Sequence, residues 1–243
     1  MTGSILIIGG GSDIASNLSK KLLERGFKVT LLVRNPDNLD QEISSKVSVV
    51  VGDALSSNDL TTAIETATAQ GDGSILGMAH LVGSILIRPP HAVKQEAFED
   101  IIQTNLVSAF LALSLTCKSM LRTGGGRVVF TSSVAASLGL VNHEAIAAAK
   151  GGIESMVRSA AATYAQRKIR VNAVAPGLTD TKMSGNITKS EALLEAAVSM
   201  IPMKRINQPE EIAEAIYWLL TSAPDNLTGQ ILHLDGGMKN VRN

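Results

Sequence analysis

The sequence is poor in cysteine and aromatic residues and has no excess of charge of either sign. Its one cysteine, Cys117, excludes an internal disulfide and fits a reducing compartment. The 22 basic and 22 acidic residues balance, so the charge gives no indication of a nucleic-acid partner. The most apolar window, 75–87, contains polar residues and is too short to span a bilayer. Tyr164 and Tyr217 are the only phenolic proton donors.

The length of 243 residues, with 45% apolar and 18% charged residues, fits one α/β domain over 1–243. The first strand is expected from about Ser4, which leaves no room for a leader peptide before it. We therefore expect a cytoplasmic protein that binds neither membrane nor nucleic acid. We predict no metal site.

A glycine-rich turn joins the first predicted strand, Ser4–Ile8, to a helical pattern. This order builds a phosphate cradle, because glycine lets the backbone approach a pyrophosphate and free N–H groups at a helix start attract anions. A tight turn without a ligand is the alternative. The candidate contacts to a dinucleotide are Gly9, Gly11, Ser12, Asp13 and Ile14, and Asp13 is also a candidate cap for the helix.

The end of the second predicted strand, Lys28–Val33, indicates which dinucleotide is preferred. A site for NAD places an acidic residue near this strand end to bind the ribose 2′-hydroxyl, and Val33 holds that place. Arg34 comes next, and a guanidinium suits a 2′-phosphate. The pattern favours NADP(H) over NAD(H); the alternative is that Arg34 is a solvated surface residue.

The most informative stretch is 130–152, with the sequence FTSSVAASLGLVNHEAIAAAKGG. It predicts a strand end, a serine pair, a loop, and an alanine-rich helix carrying Lys150. A serine hydroxyl at a strand end can hold a substrate oxygen, while an ammonium can bind a ribose or lower the pKa of a neighbouring acid. One helical turn before Lys150, a proton donor is expected. That residue is Ile146, which has no proton to give.

The positions of Ser133, Ile146 and Lys150 resemble the short-chain dehydrogenase/reductase family, in which a Ser precedes by thirteen residues the Tyr of a Tyr-x-x-x-Lys motif. The runs 170–177 and 228–237 also match the family pattern, so the resemblance covers the whole chain. It implies a Rossmann-type doubly wound parallel sheet of about seven strands and hydride transfer between a carbonyl or alcohol and a nicotinamide cofactor. It also implies a homo-oligomer, a tetramer or a dimer, packed through alanine-rich helices. Packing of those helices on the sheet alone is the alternative.

The resemblance also implies roles for single residues. Asn105, in a long helix expected over about 94–121, matches the Asn of the catalytic tetrad. Asp53, with Ala54 after it, is either an adenine contact or a turn residue that starts the next helix. Gly83 is the one match to the family motif that comes after the fourth strand, where His80 replaces an Asn.

The loop after the sixth predicted strand is expected against the nicotinamide, and a segment at about 183–203 is expected to cover the substrate. The methionine and leucine content of this segment suggests an apolar small-molecule substrate. The loop residues carried over from the family are Pro176, Gly177, Thr179 and Thr181.

The missing tyrosine leaves the proton donor open. Tyr164 lies about 21 Å beyond Lys150 along one helix, which is too far, and nothing directs Tyr217 towards the site. His143, three residues before Ile146, can donate a proton near neutral pH, unless it only starts the helix.

These residues support three hypotheses. The first is an NADP(H)-dependent oxidoreductase with altered proton delivery. The second is an NADP(H)-binding sensor or scaffold without turnover. The third is a non-redox enzyme on the same fold, because a fold alone does not determine a reaction.

Overall fold

Seven parallel strands form one sheet in the order β3-β2-β1-β4-β5-β6-β7 in the computed structural model, which describes residues 3–242. Helices cover both faces of this sheet, which confirms the predicted doubly wound architecture. The strands are β1 Ser4–Ile8, β2 Lys28–Val33, β3 Ser48–Val51, β4 Gly77–His80, β5 Gly126–Thr131, β6 Ile169–Pro176 and β7 Ile231–Leu234.

The connections between strands are mostly helical, as parallel pairing requires. Short 3₁₀ turns supplement them, and a π-helical turn over Gln103–Val107 interrupts the longest helix. The α-helices are α1 Asp13–Glu24, α2 Gln41–Ser44, α3 Ser57–Gln70, α4 Gln95–Ile102, α5 Ser108–Thr123, α6 Glu144–Tyr164, α7 Gly185–Thr188, α8 Glu191–Ser199 and α9 Pro209–Thr221.

The core has two layers because alternate side chains of each strand point to opposite faces of the sheet. In β1, Leu6 and Ile8 pack towards α3, α5 and α6, whereas Ile5 and Ile7 pack towards α1 and α9. All of β1 is buried, as expected for a central strand covered on both faces. Because β1, β4, β5 and β6 run parallel, their carboxyl ends share one edge of the sheet, where the glycine-rich turn and the serine pair lie.

The third strand is less buried than its sequence predicts. The apolar run Val47–Val51 is typical of a buried strand, whereas β3 covers Ser48–Val51, is only partly buried, and leaves Val51 60% exposed. The reason is its position, because β3 lies at the sheet edge and pairs with β2 alone. A run of valines does not distinguish an edge strand from a central one.

The long helix predicted over 94–121 forms as α4, the π-helical turn and α5. Within the turn the Asn105 side chain donates to the Ile101 carbonyl at 3.0 Å, and such local bonds compete with regular helix bonds. By length and composition the span Gln95–Thr123 could cross a membrane. However, 44% of its most apolar window is buried inside the fold, so core packing explains its composition.

Candidate active site

The glycine-rich turn after β1 forms a cradle of unpaired amides. Gly9 has a φ of +88°, and a Cβ there would lie 2.8 Å from the backbone nitrogen of Val82, so only glycine fits. Within residues 3–242 no acceptor is found for the backbone N–H groups of Gly11, Ser12, Asp13 and Ile14. Unpaired amides at a helix start fit a pyrophosphate.

A cavity of about 310 Å³ opens beside these amides. Part of its wall was not predicted: Asn38, Leu39 and Asp40 come from the segment after β2. Their place after that strand was the only signal that could have pointed to them. The lining also includes Gly10, Gly11, Ser12, Asp13, Ser16, Ile43 and Lys182.

Asp13 does not cap α1, contrary to one expectation from the sequence. The cap is Ser12, whose hydroxyl accepts from the Ala15 amide at 3.1 Å. Asp13 is the first residue of the helix, and its carboxylate accepts instead from the backbone N–H of Lys182 at 2.7 Å. The carboxylate therefore joins the glycine-rich turn to the loop after β6.

The residues expected around the adenosine lie at the ends of β2 and β3. Arg34 is exposed and makes no hydrogen bond or ion pair with any other residue of the described chain. Asp53 forms a turn, because its side chain accepts from the Leu55 amide at 2.8 Å. Ala54, the next residue, is buried. The turn alternative for Asp53 is thus confirmed, while its contact with adenine stays a prediction.

Gly83, Asn105 and Lys150 meet at the carboxyl end of β4. A Cβ on Gly83 would lie 3.1 Å from the Asn105 side-chain oxygen and 3.5 Å from Lys150 Nζ. The Lys150 ammonium donates to the Thr131 carbonyl at 2.8 Å. Asn105 is also tied to Ser84, whose amide donates to the Asn105 oxygen at 3.3 Å. The predicted Asn–Lys pair is therefore brought together around a glycine.

Burial lowers the pKa of Lys150 to about 8. The side chain is 6% exposed, and the Thr131 carbonyl is the one acceptor found for Nζ among residues 3–242. Desolvation disfavours the charged form, so this amine titrates closer to neutral pH than an exposed lysine. Ribose hydroxyls would provide further partners for an ammonium at this place.

The two serines after β5 have different environments. Ser133 is half-buried, and its hydroxyl accepts from the Ala135 amide at 3.2 Å, which leaves its own proton free to donate. Ser132 is buried and donates to Glu154 Oε1 at 3.0 Å. Ser133 is therefore the serine that can meet a substrate. Glu154, a buried carboxylate on α6, was missed by sequence reasoning because no local pattern distinguishes it from a surface residue.

Ile146 lies in an apolar cluster where the family places a phenol. It is 4% exposed and packs with Ile101, Ala135, Ala149 and Leu140. An alkyl group in this cluster can shape a substrate site but cannot transfer a proton.

His143 lies immediately before α6 and is partly exposed. Its Nδ1 donates to the Val141 carbonyl at 2.7 Å, because a carbonyl can only accept. This bond fixes the orientation of the ring and leaves Nε2 as the atom available for proton transfer. His143 is thus a helix-start residue, as the alternative had it, with a ring nitrogen still free.

His80 is completely buried at the end of β4 and only half satisfied. Its Nε2 lies 3.0 Å from the Ser108 hydroxyl, which in turn donates to the Thr104 carbonyl at 2.5 Å. Nε2 must therefore carry the proton, while Nδ1 finds no partner in the described chain. Burial and the nearby Lys150 lower the pKa of His80 to about 3. The ring is neutral, and it links β4 to the π-helical turn.

The loop after β6 adopts a braced turn. Thr179 is buried and donates to the Gly177 carbonyl at 3.1 Å, while the Thr181 amide donates to the Ser184 hydroxyl at 3.1 Å. Pro176 ends β6, and the amide of Gly177 donates to the Leu234 carbonyl. The contacts of this loop with a nicotinamide stay predictions.

Neither tyrosine replaces the missing phenol. Tyr217 packs edge-on against Phe27 with ring centroids 6.4 Å apart, beside Lys21 of α1. Tyr164 ends α6 and packs on the core towards Cys117. Cys117 is fully buried, and burial raises its thiol pKa to about 12, as is typical of a structural thiol.

Residues 9–239 match the family described as enoyl-(acyl carrier protein) reductase. The chain is 32% identical over 249 residues to 2-(S)-hydroxypropyl-CoM dehydrogenase 3 of Xanthobacter autotrophicus, covering 96% of this chain and 95% of that protein. A short-chain type dehydrogenase/reductase from Mycobacterium ulcerans superposes with a TM-score of 0.92 at 28% identity, over 98% of this chain and 91% of that one.

ElxO with bound NADP shares the fold, with a TM-score of 0.89 at 22% identity, over 98% of this chain and 99% of that one. The named relatives are oxidoreductases, and the sheet order, the amide cradle and the Asn105–Lys150 pair agree with that class. The chain therefore belongs to the short-chain dehydrogenase/reductase family.

Proposed function

We propose that the protein is an NADP(H)-dependent oxidoreductase that interconverts a carbonyl and an alcohol, with a proton donor other than tyrosine. The observation that carries this proposal is the convergence of Asn105 and Lys150 around Gly83, on the same sheet edge as the unpaired amides after β1. These groups fit the two ends of a dinucleotide, because the amides suit its pyrophosphate and the ammonium suits its ribose.

A bound nicotinamide nucleotide supplies or accepts the hydride. The chain's residues do the rest. Lys150 would hold the ribose, Ser133 would donate a hydrogen bond to the substrate oxygen, and Asn105 would fix the backbone beside both through Ser84. The apolar cluster around Ile146 would exclude water from the reacting carbon and favour an apolar substrate.

The preference for NADP(H) rests on Arg34. It comes directly after β2, is exposed, and lacks an acidic partner among the described residues, so its guanidinium can bind a 2′-phosphate. The NADP bound in ElxO shows that a structure of this fold can hold a nucleotide with a 2′-phosphate, which supports the preference. Asp40 on the cavity wall does not oppose this choice, because Lys20 pairs with it at 3.2 Å.

We assign the role of proton donor to the substrate oxygen to His143. Its Nδ1 bond to the Val141 carbonyl leaves Nε2 to donate in the imidazolium form, as a positioned general acid requires. The non-catalytic alternative has no comparable support, because the relatives named above are dehydrogenases and reductases. A homo-oligomer packed through alanine-rich helices and a cytoplasmic location belong to the same proposal.

The test combines binding with turnover. We expect NADPH to bind in a fluorescence titration and to be consumed with some members of a panel of apolar ketones and aldehydes. His143→Ala should lower kcat by about 10²-fold or more, the usual contribution of a general acid. Tyr217→Phe, on the far side of the sheet, serves as control and should change nothing. The proposal fails if neither NADPH nor NADH binds, and the assignment of His143 fails if its removal leaves kcat intact.

A further inference from the structure

The segment Asp180–Met200, here called the cover segment, contains α7 and α8 and has no buried residue. Its flanks are firmly placed, because Thr179 and Ile201 are 8% and 2% exposed. A segment with so little burial gains little from the hydrophobic effect. Its position must therefore depend in part on a few polar contacts.

One such contact lies at the cavity beside the amides after β1, which Lys182 lines. The Asp13 carboxylate accepts from the Lys182 backbone N–H at 2.7 Å, and its other oxygen lies 3.8 Å from Lys182 Nζ. These residues are 169 positions apart, and both line the cavity beside the amides after β1. The bond therefore closes one side of the cradle.

The two halves of this contact differ in strength. The main-chain bond is short, charge-assisted and directed by a braced turn, since Thr181 and Ser184 bond to each other. The ammonium of Lys182 is 79% exposed, so its attraction to Asp13 is screened by water. The main-chain N–H therefore contributes more to this contact than the charge of Lys182 does.

We infer that Asp13 is a positioning residue of the nucleotide site that tethers the cover segment to α1 and slows release of the bound nucleotide. The inference rests on the proposed function for its ligand, whereas the tether itself concerns the protein alone. Asp13 is suited to this because Ser12 already caps the helix, which leaves the carboxylate free to reach Lys182. The family pattern has a glycine at this position, which cannot form such a bond.

The experiment compares Asp13→Ala with Asp13→Asn. Asparagine keeps an oxygen that can accept from Lys182 and loses the charge, whereas alanine loses both, and both leave the Ser12 cap in place. Hydrogen–deuterium exchange of peptides from 182–200 is measured without nucleotide, and the NADPH release rate is measured by stopped flow. We expect faster exchange and about tenfold faster release in Asp13→Ala, the loss expected for one charge-assisted bond. Asp13→Asn should fall between the wild type and Asp13→Ala, since the bond keeps its acceptor and loses its charge. Lys182→Met should exchange like the wild type.

Unchanged exchange in Asp13→Ala, or exchange of the segment as fast in Asp13→Asn as in Asp13→Ala, would overturn the tether. Faster exchange with an unchanged release rate would overturn its effect on the nucleotide. A wild-type protein that binds no nicotinamide nucleotide would overturn the proposed function instead, and the exchange measurements would still decide whether the tether exists.

Discussion

The two ends of the candidate active site, along the carboxyl edge of the sheet, differ in polarity and in how open they are. The nucleotide end is polar and presents unpaired hydrogen-bond donors. It has free amides after β1, an exposed Arg34 and an open cavity of about 310 Å³. The reaction end is closed and apolar at the position where a proton must be delivered, because Ile146 is buried in a cluster of alkyl side chains. The difference teaches that binding a nucleotide and transferring a proton make separate demands on one fold, because the first needs free amides and the second needs a positioned acid.

Placing a phenol at position 146 should change kcat more than any of the substitutions that follow. In the His143→Ala background, Ile146→Tyr supplies a general acid one helical turn from Lys150, so we expect kcat for carbonyl reduction to rise by about 10²-fold or more. Ile146→Phe in the same background is the matched control, since it adds the ring without the hydroxyl and should not increase kcat. Both variants overpack a buried site and should lose about 1–3 kcal/mol of stability, measured by urea unfolding. Equal rates with the two substitutions would show that a phenol at position 146 does not transfer the proton.

Lys150 tests both ends at once. Lys150→Met removes the ribose ligand, so NADPH affinity should fall by about tenfold or more, the value of a hydrogen bond to a charged group. The same change should stabilise the free protein. With a pKa of about 8 in the folded state and 10.5 as its usual value, burial of the ammonium costs roughly 3 kcal/mol below pH 8.

The pH dependence of that stability gain has a definite sign. The folded pKa of Lys150 is lowered, so its favourable contribution is complete above pH 10.5 and is lost as the pH falls through 8. Urea unfolding should therefore show Lys150→Met more stable than wild type at pH 7, with a gap that narrows towards pH 10. A less stable variant at pH 7 would mean that the Thr131 contact outweighs desolvation.

Arg34 tests the nucleotide end alone. Arg34→Ala should weaken NADPH binding by about tenfold and leave NADH binding unchanged, since only NADPH carries the 2′-phosphate. Arg25→Ala, another exposed arginine at the far end of α1, is the control. Parallel fluorescence titrations give the ratio of the two affinities. An unchanged ratio in Arg34→Ala would identify Arg34 as a solvated surface residue.

His80 affects the stability of the fold in acid. Its folded pKa of about 3 lies below its usual 6.5, so the contribution of the neutral ring is present above pH 6.5 and is lost as the pH falls towards 3. His80→Asn should therefore lose less stability than wild type between pH 7 and pH 4.5. His91→Asn, at an exposed position, should behave like the wild type. Urea unfolding at the two pH values distinguishes the variants.

Sequence reasoning reached the parts of the molecule that are encoded locally. The strands and the glycine-rich turn could be predicted from apolar periodicity and from the order of residues within single segments. The roles of Asn105 and Lys150 at one site were predicted from the resemblance to the short-chain dehydrogenase/reductase family. The contacts that it missed join distant segments: Asp13 with Lys182, His80 with Ser108, and Ser132 with Glu154. These pairs depend on how strands and helices are placed in three dimensions, which periodicity does not specify. The edge position of β3 was missed for the same reason.

Because of the π-helical turn over Gln103–Val107, the effect of deleting one residue depends on where in the long helix the deletion falls. Such a turn accommodates one more residue than a regular turn, and the helices on either side keep their core-facing sides. Deleting a residue within the turn would therefore leave a folded protein with a straightened helix and a displaced Asn105. Deleting a residue in α5 would rotate the remainder of that helix by about 100° and turn its apolar side away from the sheet. A deletion in the π-helical turn would thus impair the site at Asn105 and leave the fold intact. A deletion in α5 would disrupt the packing of the core.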